Sequence, residues 1–282
     1  MIQRRWSLAR PDGTEIVADV RLPEGEPPRS AIVVAHGFKG FKDWGFFPHL
    51  SAALVGDGHA VVSINFSLNG IGADPLEFTE LEDFARNTLS RELDELLAVV
   101  EAVSGGEVLS PPPRRIGVFG HSRGGGIAVL AARESPHVDA LVSWAAVSDF
   151  DRWDEATKAE WRRTGRIHVL NGRTGQQMPL DLTLLEDFEA NRDRLDVTAA
   201  AGELSAPWLI VHGSDDPAVS VDDGRALDAA APHAELCLIE GAGHTFEVGH
   251  PFQGPSEEYR TALARTRAHF RDALLGSDTP VG

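Results

Sequence analysis

The sequence predicts an α/β protein with a mostly parallel sheet flanked by helices, because short apolar runs alternate with segments of helical periodicity. Strands of a parallel sheet are buried on both faces and therefore read as continuous runs rich in β-branched residues. In such sheets the functional residues follow the carboxyl ends of the strands. The predicted strands lie at residues 30–36, 59–66, 114–120, 137–145, 206–213 and 234–240.

Further elements complete the predicted core. Residues 2–22 alternate apolar and polar side chains around Asp12-Gly13, which predicts a β-hairpin with a tight turn. Apolar residues recur at helical spacing over 82–104 and again over 259–274, and each pattern predicts a helix that packs one face against the sheet. Strands alternating with helices imply right-handed crossovers within one α/β domain.

One connection is much longer than the others. Roughly 55 residues, 148–203, separate two predicted strands, whereas such connections usually have only a few residues. Two helices are expected inside it, one over 153–163 and one with its apolar face at 184–195. We therefore predict an α/β core formed by 1–147 and 204–282, interrupted by a largely helical lid at 148–203.

Composition excludes several classes of partner. The 282 residues include 26 Lys+Arg and 43 Asp+Glu, a formal net charge of −17 that disfavours nucleic acids, anionic membrane surfaces and strongly anionic substrates. The single Cys237 cannot form an intramolecular disulfide. Neither a signal peptide nor an apolar run of the length that a membrane helix needs is evident, so we expect a soluble cytoplasmic protein. The oligomeric state stays open, with a homodimer among the alternatives.

The segment Gly120-His121-Ser122-Arg123-Gly124 follows one predicted strand and precedes an apolar helical segment. This G-x-S-x-G pattern is typical of a nucleophile elbow, a sharp turn from strand to helix that presents the serine above the sheet. Small residues two positions before and after the serine allow the strand and the helix to pack closely. A nucleotide-binding turn is the alternative, but the Walker lysine and the G-x-G-x-x-G spacing are absent. Ser122 is therefore the candidate nucleophile.

A serine hydroxyl needs a histidine that removes its proton and a carboxylate that orients the histidine. In this fold class the order along the chain is Ser, then Asp or Glu, then His, each after a later strand. His244 lies in a glycine-flanked loop after the last predicted strand, and Asp215 and Asp216 follow the strand before it. The residues alone leave the choice between the two aspartates open. His121 and His212 are interpreted as packed core histidines.

Acyl transfer also needs N–H donors that stabilise the developing oxyanion. One is expected from Arg123, the residue after the nucleophile, and the other from Phe38, which follows Gly37 in the loop after an earlier strand. Aromatic residues crowd the next segment, and Trp44 and Phe46 are the candidate substrate-binding residues. No H-E-x-x-H motif, paired cysteines or clustered histidines indicate a metal site, and no cofactor is expected.

Together these motifs resemble the α/β-hydrolase superfamily over essentially the whole chain. The resemblance rests on HGFKG at 36–40, GHSRGG at 120–125, HGSDDPAV at 212–219 and GAGH at 241–244. Within the superfamily the chain is similar to the dienelactone-hydrolase-like and cinnamoyl or feruloyl esterase-like serine hydrolases. It departs from dehalogenases and epoxide hydrolases, which have aspartate at the elbow, and from true dienelactone hydrolases, which have cysteine there.

The resemblance implies an α/β-hydrolase fold, and the superfamily's acid pattern favours Asp216 over Asp215. The expected function is a serine carboxylic-ester hydrolase that acts on a small-molecule ester through a Ser122–His244–Asp216 triad, with Phe38 and Arg123 as the oxyanion donors. A thioesterase or a small peptidase would use the same triad. A binding protein that retains the fold without catalysis is the alternative from another class.

Overall fold

The computed structural model describes residues 1–25 and 27–276, and it contains all six predicted parallel strands. Eight strands form one sheet in the order β1-β2-β4-β3-β5-β6-β9-β10. The N-terminal hairpin is confirmed: β1 and β2 pair antiparallel, and β2 joins the sheet by antiparallel pairing with β4. The remaining neighbours pair in parallel. These strands are β1 (Ile2–Ala9), β2 (Glu15–Leu22), β3 (Ser30–Ala35), β4 (Ala60–Asn65), β5 (Arg115–His121), β6 (Ala140–Trp144), β9 (Trp208–Gly213) and β10 (Ala234–Ile239).

Helices cover both faces of this sheet. Side chains of β3 alternate between the two hydrophobic layers, because successive residues of a strand point to opposite faces. One layer is formed with α1 (Phe47–Gly56) and α9 (Glu257–Phe270). The other is formed mainly with α3 (Leu89–Ser104), α4 (Arg123–Glu134), α7 (Val197–Glu203) and α8 (Val221–Ala230). This arrangement confirms the predicted α/β fold.

The boundaries of two predicted helices differ from expectation. The segment 82–104 forms two helices, α2 (Leu81–Ala85) and α3, because Thr88 adopts an extended conformation and its hydroxyl accepts a hydrogen bond from the Arg91 N–H. A threonine in this position caps the helix that follows it. The last helix continues beyond Phe270 as a π-helical turn, Arg271–Leu275. Residues 277–282, the C-terminal end of the predicted core (1–147 and 204–282), lie outside the described residues.

The insertion contains three helices and a β-hairpin that the periodicity did not predict. Its helices are α5 (Glu155–Thr164), α6 (Thr183–Ala190) and α7, and the antiparallel hairpin consists of β7 (Arg166–Leu170) and β8 (Gln177–Asp181). Both expected helices are present, as α5 and α6, and the structure adds α7 and the hairpin. The hairpin strands are short and only partly buried, so they lack the long apolar run that marks a central strand.

The first part of the insertion contacts the edge of the sheet where the strands end. Lys39 Nζ, in the loop after β3, donates a hydrogen bond to the Leu170 carbonyl oxygen at 3.0 Å. Gln176 Nε2 donates to the Phe78 carbonyl oxygen at 2.9 Å. Helix α7, in contrast, packs among α4 and α8. None of the helices within the described ranges is long and apolar enough to cross a membrane.

Candidate active site

Ser122 lies between β5 and α4 in a backbone conformation that side-chain-bearing residues rarely adopt, with φ 58° and ψ −124°. Such a conformation costs on the order of 1–3 kcal/mol and persists only where the surroundings impose it. Here the Ser122 N–H donates to the Trp144 carbonyl oxygen on the neighbouring strand at 2.9 Å. A Cβ atom at Gly120 would clash with the Gly124 carbonyl group. The small residues of the motif are therefore required by the close contact between strand and helix, as predicted.

Asp216 and His244 form a direct pair. Two loops, one after β9 and one after β10, carry these residues, and the Asp215 N–H donates to the Ala242 carbonyl oxygen at 3.0 Å between them. His244 Nδ1 lies 2.8 Å from Asp216 Oδ2. The other carboxylate oxygen, Oδ1, accepts the N–H groups of Ala218 and Val219 at 2.8 and 2.9 Å. The Asp216 carboxylate is thus held in one orientation.

The neighbouring carboxylate lies elsewhere. Asp215 is exposed, and it accepts a hydrogen bond from the Ser214 hydroxyl at 3.0 Å instead of contacting His244. The structure therefore selects Asp216 where the residues alone left the choice open. Burial by itself would raise the pKa of Asp216, but the hydrogen bond and charge of His244 and the two backbone N–H groups outweigh it, and the pKa is lowered. Asp216 is accordingly ionised at neutral pH.

The predicted core histidines are both buried, and both also contact the pair. The His121 ring lies 4.7 Å from the His244 ring between centroids, and its Nε2–H donates to the His244 carbonyl oxygen at 3.0 Å. Burial lowers the pKa of His121 to about 3, so this ring stays neutral. His212 Nε2 donates to the Val219 carbonyl oxygen at 3.0 Å and lies 3.6 Å from Asp216 Oδ2. Both histidines therefore support the loops that carry the pair.

Gly37 packs directly against Ser122, the candidate nucleophile. A Cβ atom at Gly37 would lie 2.8 Å from the His121 carbonyl oxygen and 2.9 Å from Ser122 Cβ, so only glycine fits there. The Phe38 and Arg123 N–H groups follow Gly37 and Ser122, and neither donates a hydrogen bond within the part of the chain that the structure describes. Two N–H groups next to the serine are thus available to an acceptor in the site.

The side chains of these two residues form a buried assembly that the sequence did not predict. Arg123 Nη2 donates to Glu92 Oε1 at 2.7 Å, and Asn87 Nδ2 donates to the same oxygen at 2.7 Å. The guanidinium of Arg123 stacks over the Phe38 ring. Burial raises the pKa of Glu92, although the Arg123 charge and the Asn87 amide oppose this shift. A glutamate on the apolar face of a predicted helix is the feature of the sequence that indicates such a buried partner.

Ser122 and His244 line two cavities that meet at the serine. The larger, about 390 Å³, is mainly apolar, and its walls include Leu89, Phe150 and Trp153. The smaller, about 200 Å³, lies toward the β7–β8 hairpin, and its walls include Lys39, Trp44, Phe47, Asn171 and Arg173. The Ser122 hydroxyl makes no hydrogen bond within the described residues. Space is thus available next to Ser122 in two directions.

Of the two predicted substrate-binding residues, only Trp44 lines a cavity. Phe46 is fully buried, with 0% of its surface exposed, and it packs against Phe47, Trp144 and Tyr259. The expectation that Phe46 contacts substrate is therefore wrong. It supports the Trp44 ring edge-on, at 5.7 Å between centroids. An aromatic residue at the start of a helix can face the core or the solvent, and the sequence did not distinguish the two.

The described residues contain no group of three or more His, Cys, Asp or Glu side chains that could hold a metal ion. The site instead consists of a serine in a strained turn, a histidine–aspartate pair and two unpaired N–H groups. A serine, a histidine and a carboxylate in this order are the parts of a nucleophilic acyl-transfer site.

Comparison with known proteins places the chain in a family. Residues 32–262 match the model of the Alpha/beta hydrolase family. The chain therefore belongs to the α/β-hydrolase family. A curated relative, the 2,6-dihydropseudooxynicotine hydrolase of Paenarthrobacter nicotinovorans, is 27% identical over 239 residues, which cover 83% of this chain and 57% of that protein. The chain thus spans little more than half the length of this relative.

Solved structures share the fold. Est1E from Butyrivibrio proteoclasticus, in its structure with ferulic acid bound, superposes with a TM-score of 0.68 and 22% identity over 94% of this chain and 97% of that one. The esterase domain of a Rhodothermus marinus protein superposes with a TM-score of 0.66 and 20% identity, over 97% of this chain and 100% of that one. At these identities the likeness establishes the common α/β-hydrolase fold.

Proposed function

We propose that this chain is a serine carboxylic-ester hydrolase that acts through an acyl-enzyme. The observation that carries the proposal is the 2.8 Å hydrogen bond between His244 and Asp216. His244 and Ser122 both line the two cavities. An imidazole held by a carboxylate at Nδ1 presents its other nitrogen, Nε2, as a base. The hydroxyl of Ser122 is the group whose proton that base would remove.

In the first half of the reaction, Ser122 Oγ attacks the ester carbonyl carbon while His244 Nε2 takes the hydroxyl proton. The negative charge that develops on the carbonyl oxygen is stabilised by the Phe38 and Arg123 N–H groups. His244 then gives its proton to the departing alkoxide oxygen, and the ester C–O bond breaks. The products are an alcohol and an acyl group bound to Ser122.

In the second half, water replaces the alcohol. His244 removes a proton from the water, whose oxygen attacks the acyl carbon, and the proton returns to Ser122 Oγ as the acid leaves. The ionised Asp216 stabilises the charged imidazole in both halves. No cofactor takes part. We further propose that the insertion, 148–203, acts as a lid, since its Phe150, Trp153, Asn171 and Arg173 supply parts of the cavity walls.

The test begins with active-site labelling. A fluorophosphonate probe should label the wild-type protein at Ser122, and Ser122→Ala should lose both the label and the hydrolysis of short-chain p-nitrophenyl esters, by at least about 10³-fold. Labelling or turnover that survives in Ser122→Ala would remove this serine from the mechanism. A properly folded protein that neither labels nor turns over any ester would support the alternative of a non-catalytic binding protein.

The two adjacent aspartates provide a matched control. Asp216→Asn should lower kcat by about 10³–10⁴-fold, because the amide no longer selects the reactive tautomer of His244. Asp215→Asn should change kcat by less than about threefold, since Asp215 is an exposed surface group. Equal losses in the two variants would contradict the assigned role of Asp216.

A substrate panel decides which bond is cleaved. Aliphatic, aryl and hydroxycinnamate esters are compared with thioesters of the same acyl groups and with aminoacyl amides. The proposal requires the highest kcat/KM for an oxygen ester. A higher value for a thioester or an amide would reassign the same triad to a thioesterase or a peptidase.

A further inference from the structure

The smaller cavity contains two cations that have no carboxylate partner. In a chain with 43 acidic and 26 basic residues, most buried or half-buried cations should find an acidic side chain, and those at Arg21, Lys42, Arg91 and Lys158 do. Lys39, which is half-buried, and Arg173, which is exposed, both line the smaller cavity and form no ion pair within the described residues. Two such cations in the wall of one cavity attract a ligand of opposite charge.

Arg173 presents its hydrogen-bonding edge without a partner. Its guanidinium lies over the Phe41 and Phe78 rings, with Cζ at 5.3 and 5.7 Å from the ring centroids. A guanidinium held near aromatic rings can still offer its N–H groups, which lie in its own plane, to an acceptor. Those side-chain N–H groups make no hydrogen bond within the ranges that the structure describes. A carboxylate can accept two of them side by side.

The other groups of the cavity wall are also donors. Lys39 Nζ uses one of its three hydrogens on the Leu170 carbonyl oxygen. Asn171 is buried, and its Nδ2 amide donates no hydrogen bond among the described residues. A buried donor without an acceptor is unfavourable, and an anionic ligand in contact with it would offset this cost. Burial and the nearby Arg123 charge lower the pKa of Lys39, and a bound anion would counter both effects.

The hairpin holds these groups in a defined arrangement. In the turn between β7 and β8, the Asn171 N–H donates to the Gln176 carbonyl oxygen and the Gly175 N–H to the Asn171 carbonyl oxygen, both at 2.8 Å. Asn171 Oδ1 accepts the Arg173 N–H at 3.2 Å. Gln176 anchors the turn through its hydrogen bond to Phe78. Arg173 therefore lies on a turn that is held by internal hydrogen bonds, and it lines the same cavity as Trp44.

We propose that the natural substrate carries a carboxylate, which Arg173, Lys39 and Asn171 bind in the smaller cavity while the rest of the ester occupies the larger, apolar one. The substrate class is a carboxylate-bearing ester, with the carboxylate in the acyl part or in the alcohol part. This inference rests on the proposed esterase function. It revises the expectation from the net charge of −17, because charges more than about 10 Å away are screened by salt, whereas direct partners are not.

The experiment compares charged and uncharged esters of the same shape. One arm uses the monophenyl ester of glutaric acid against its terminal amide, and the other uses 4-acetoxybutyrate against 4-acetoxybutyramide. In one arm we expect kcat/KM to be at least about tenfold higher for the carboxylate, as expected for a charge-assisted bidentate contact. The arm that responds identifies the part of the substrate that enters the smaller cavity.

Variants of Arg173 measure the contribution of its charge to the carboxylate preference. Arg173→Gln should reduce the carboxylate-to-amide ratio of kcat/KM to about 1, and Arg173→Lys should retain part of it. Arg225→Gln is the matched control, because it removes the same charge from an exposed residue of α8 that lines neither cavity, and the ratio should stay at the wild-type value. Equal ratios in wild type and Arg173→Gln would overturn the inference.

A binding measurement keeps the inference separate from the proposed function. In Ser122→Ala, glutarate should raise the unfolding temperature more than glutaramide does, and Arg173→Gln should abolish the difference. If esters are hydrolysed through Ser122 but neither preference nor binding depends on Arg173, only the inference fails. If no ester is hydrolysed while glutarate still binds through Arg173, the carboxylate site stands and the esterase proposal fails.

Discussion

The Arg123 guanidinium carbon lies 4.4 Å from the centre of the Phe38 ring. These are the two residues whose backbone N–H groups we propose as the oxyanion donors, and both line the larger cavity. A stacked cation and ring that are shielded from water contribute about 1–2 kcal/mol. The contact joins the loop after β3 to the start of α4, and we expect it to maintain the spacing of the two N–H groups.

Glu92→Gln tests how this assembly is held together. The substitution leaves the Arg123 guanidinium, with only 13% of its side chain exposed, beside a neutral amide. Loss of one partner from a buried ion pair costs about 3–5 kcal/mol, so the free energy of unfolding should fall by about 3 kcal/mol, and kcat should fall as the stacked contact loosens. Urea unfolding and steady-state kinetics measure the two effects.

Glu101→Gln on the same helix is the control. Its side chain is 73% exposed, and its ion pair with His137 lies at the surface, so the free energy of unfolding should change by less than about 1 kcal/mol. A comparable change in the two variants would contradict a structural role for the buried pair.

Trp44→Ala and Phe46→Ala should affect different properties. Trp44 lines the smaller cavity, so its truncation should change KM and the preference among esters, and it should lower stability less than Phe46→Ala because Trp44 is only partly buried. Phe46 belongs to the core, and its truncation should lower the free energy of unfolding by about 3–5 kcal/mol. A chain-length series of esters and urea unfolding of both variants provide the comparison. If Phe46→Ala changed ester preference without loss of stability, its placement in the core would be wrong.

Stability should fall on mild acidification. Burial lowers the pKa of His36 and His59 to about 4 and that of His121 to about 3, whereas histidine in an unfolded chain has a pKa of about 6.5. Between pH 6.5 and about 4 the unfolded chain therefore binds protons that the folded chain does not, and the free energy of unfolding decreases as the pH falls. The raised pKa of Glu92 contributes with the opposite sign above pH 4.5.

Urea unfolding at pH 7 and pH 5 measures this dependence. His59→Asn should reduce the difference in the free energy of unfolding between pH 7 and pH 5, because the substitution removes one of the histidines that only the unfolded chain protonates. His59 lies outside the site. His233→Asn, which replaces an exposed histidine, is the control. Stability that is constant or higher at pH 5 than at pH 7 in the wild type would rule out the proposed contribution of the buried histidines.

Much of the fold could be predicted from the sequence because it depends on local patterns. Runs of β-branched residues identified the parallel strands, and glycines two positions from Ser122 identified the elbow, since only small residues fit that turn. The order of Ser122 before His244 follows from the order of the strands themselves. These features depend mainly on residues that are close together in the sequence.

The remaining features depend on groups that meet only after folding. The contact of His244 with Asp216 rather than Asp215 is set by hydrogen bonds between two loops, and the burial of Phe46 beside an accessible Trp44 is set by packing against helices far along the chain. The hairpin that carries Arg173 has short, partly buried strands and no periodic pattern long enough to predict it. The sequence by itself determined the order in which the candidate catalytic residues follow the strands, and it determined that the chain is acidic. Tertiary structure alone decided which side chains face the cavities, and thereby placed Lys39 and Arg173, which form no ion pair within the described residues, in the wall of a cavity that Ser122 also lines.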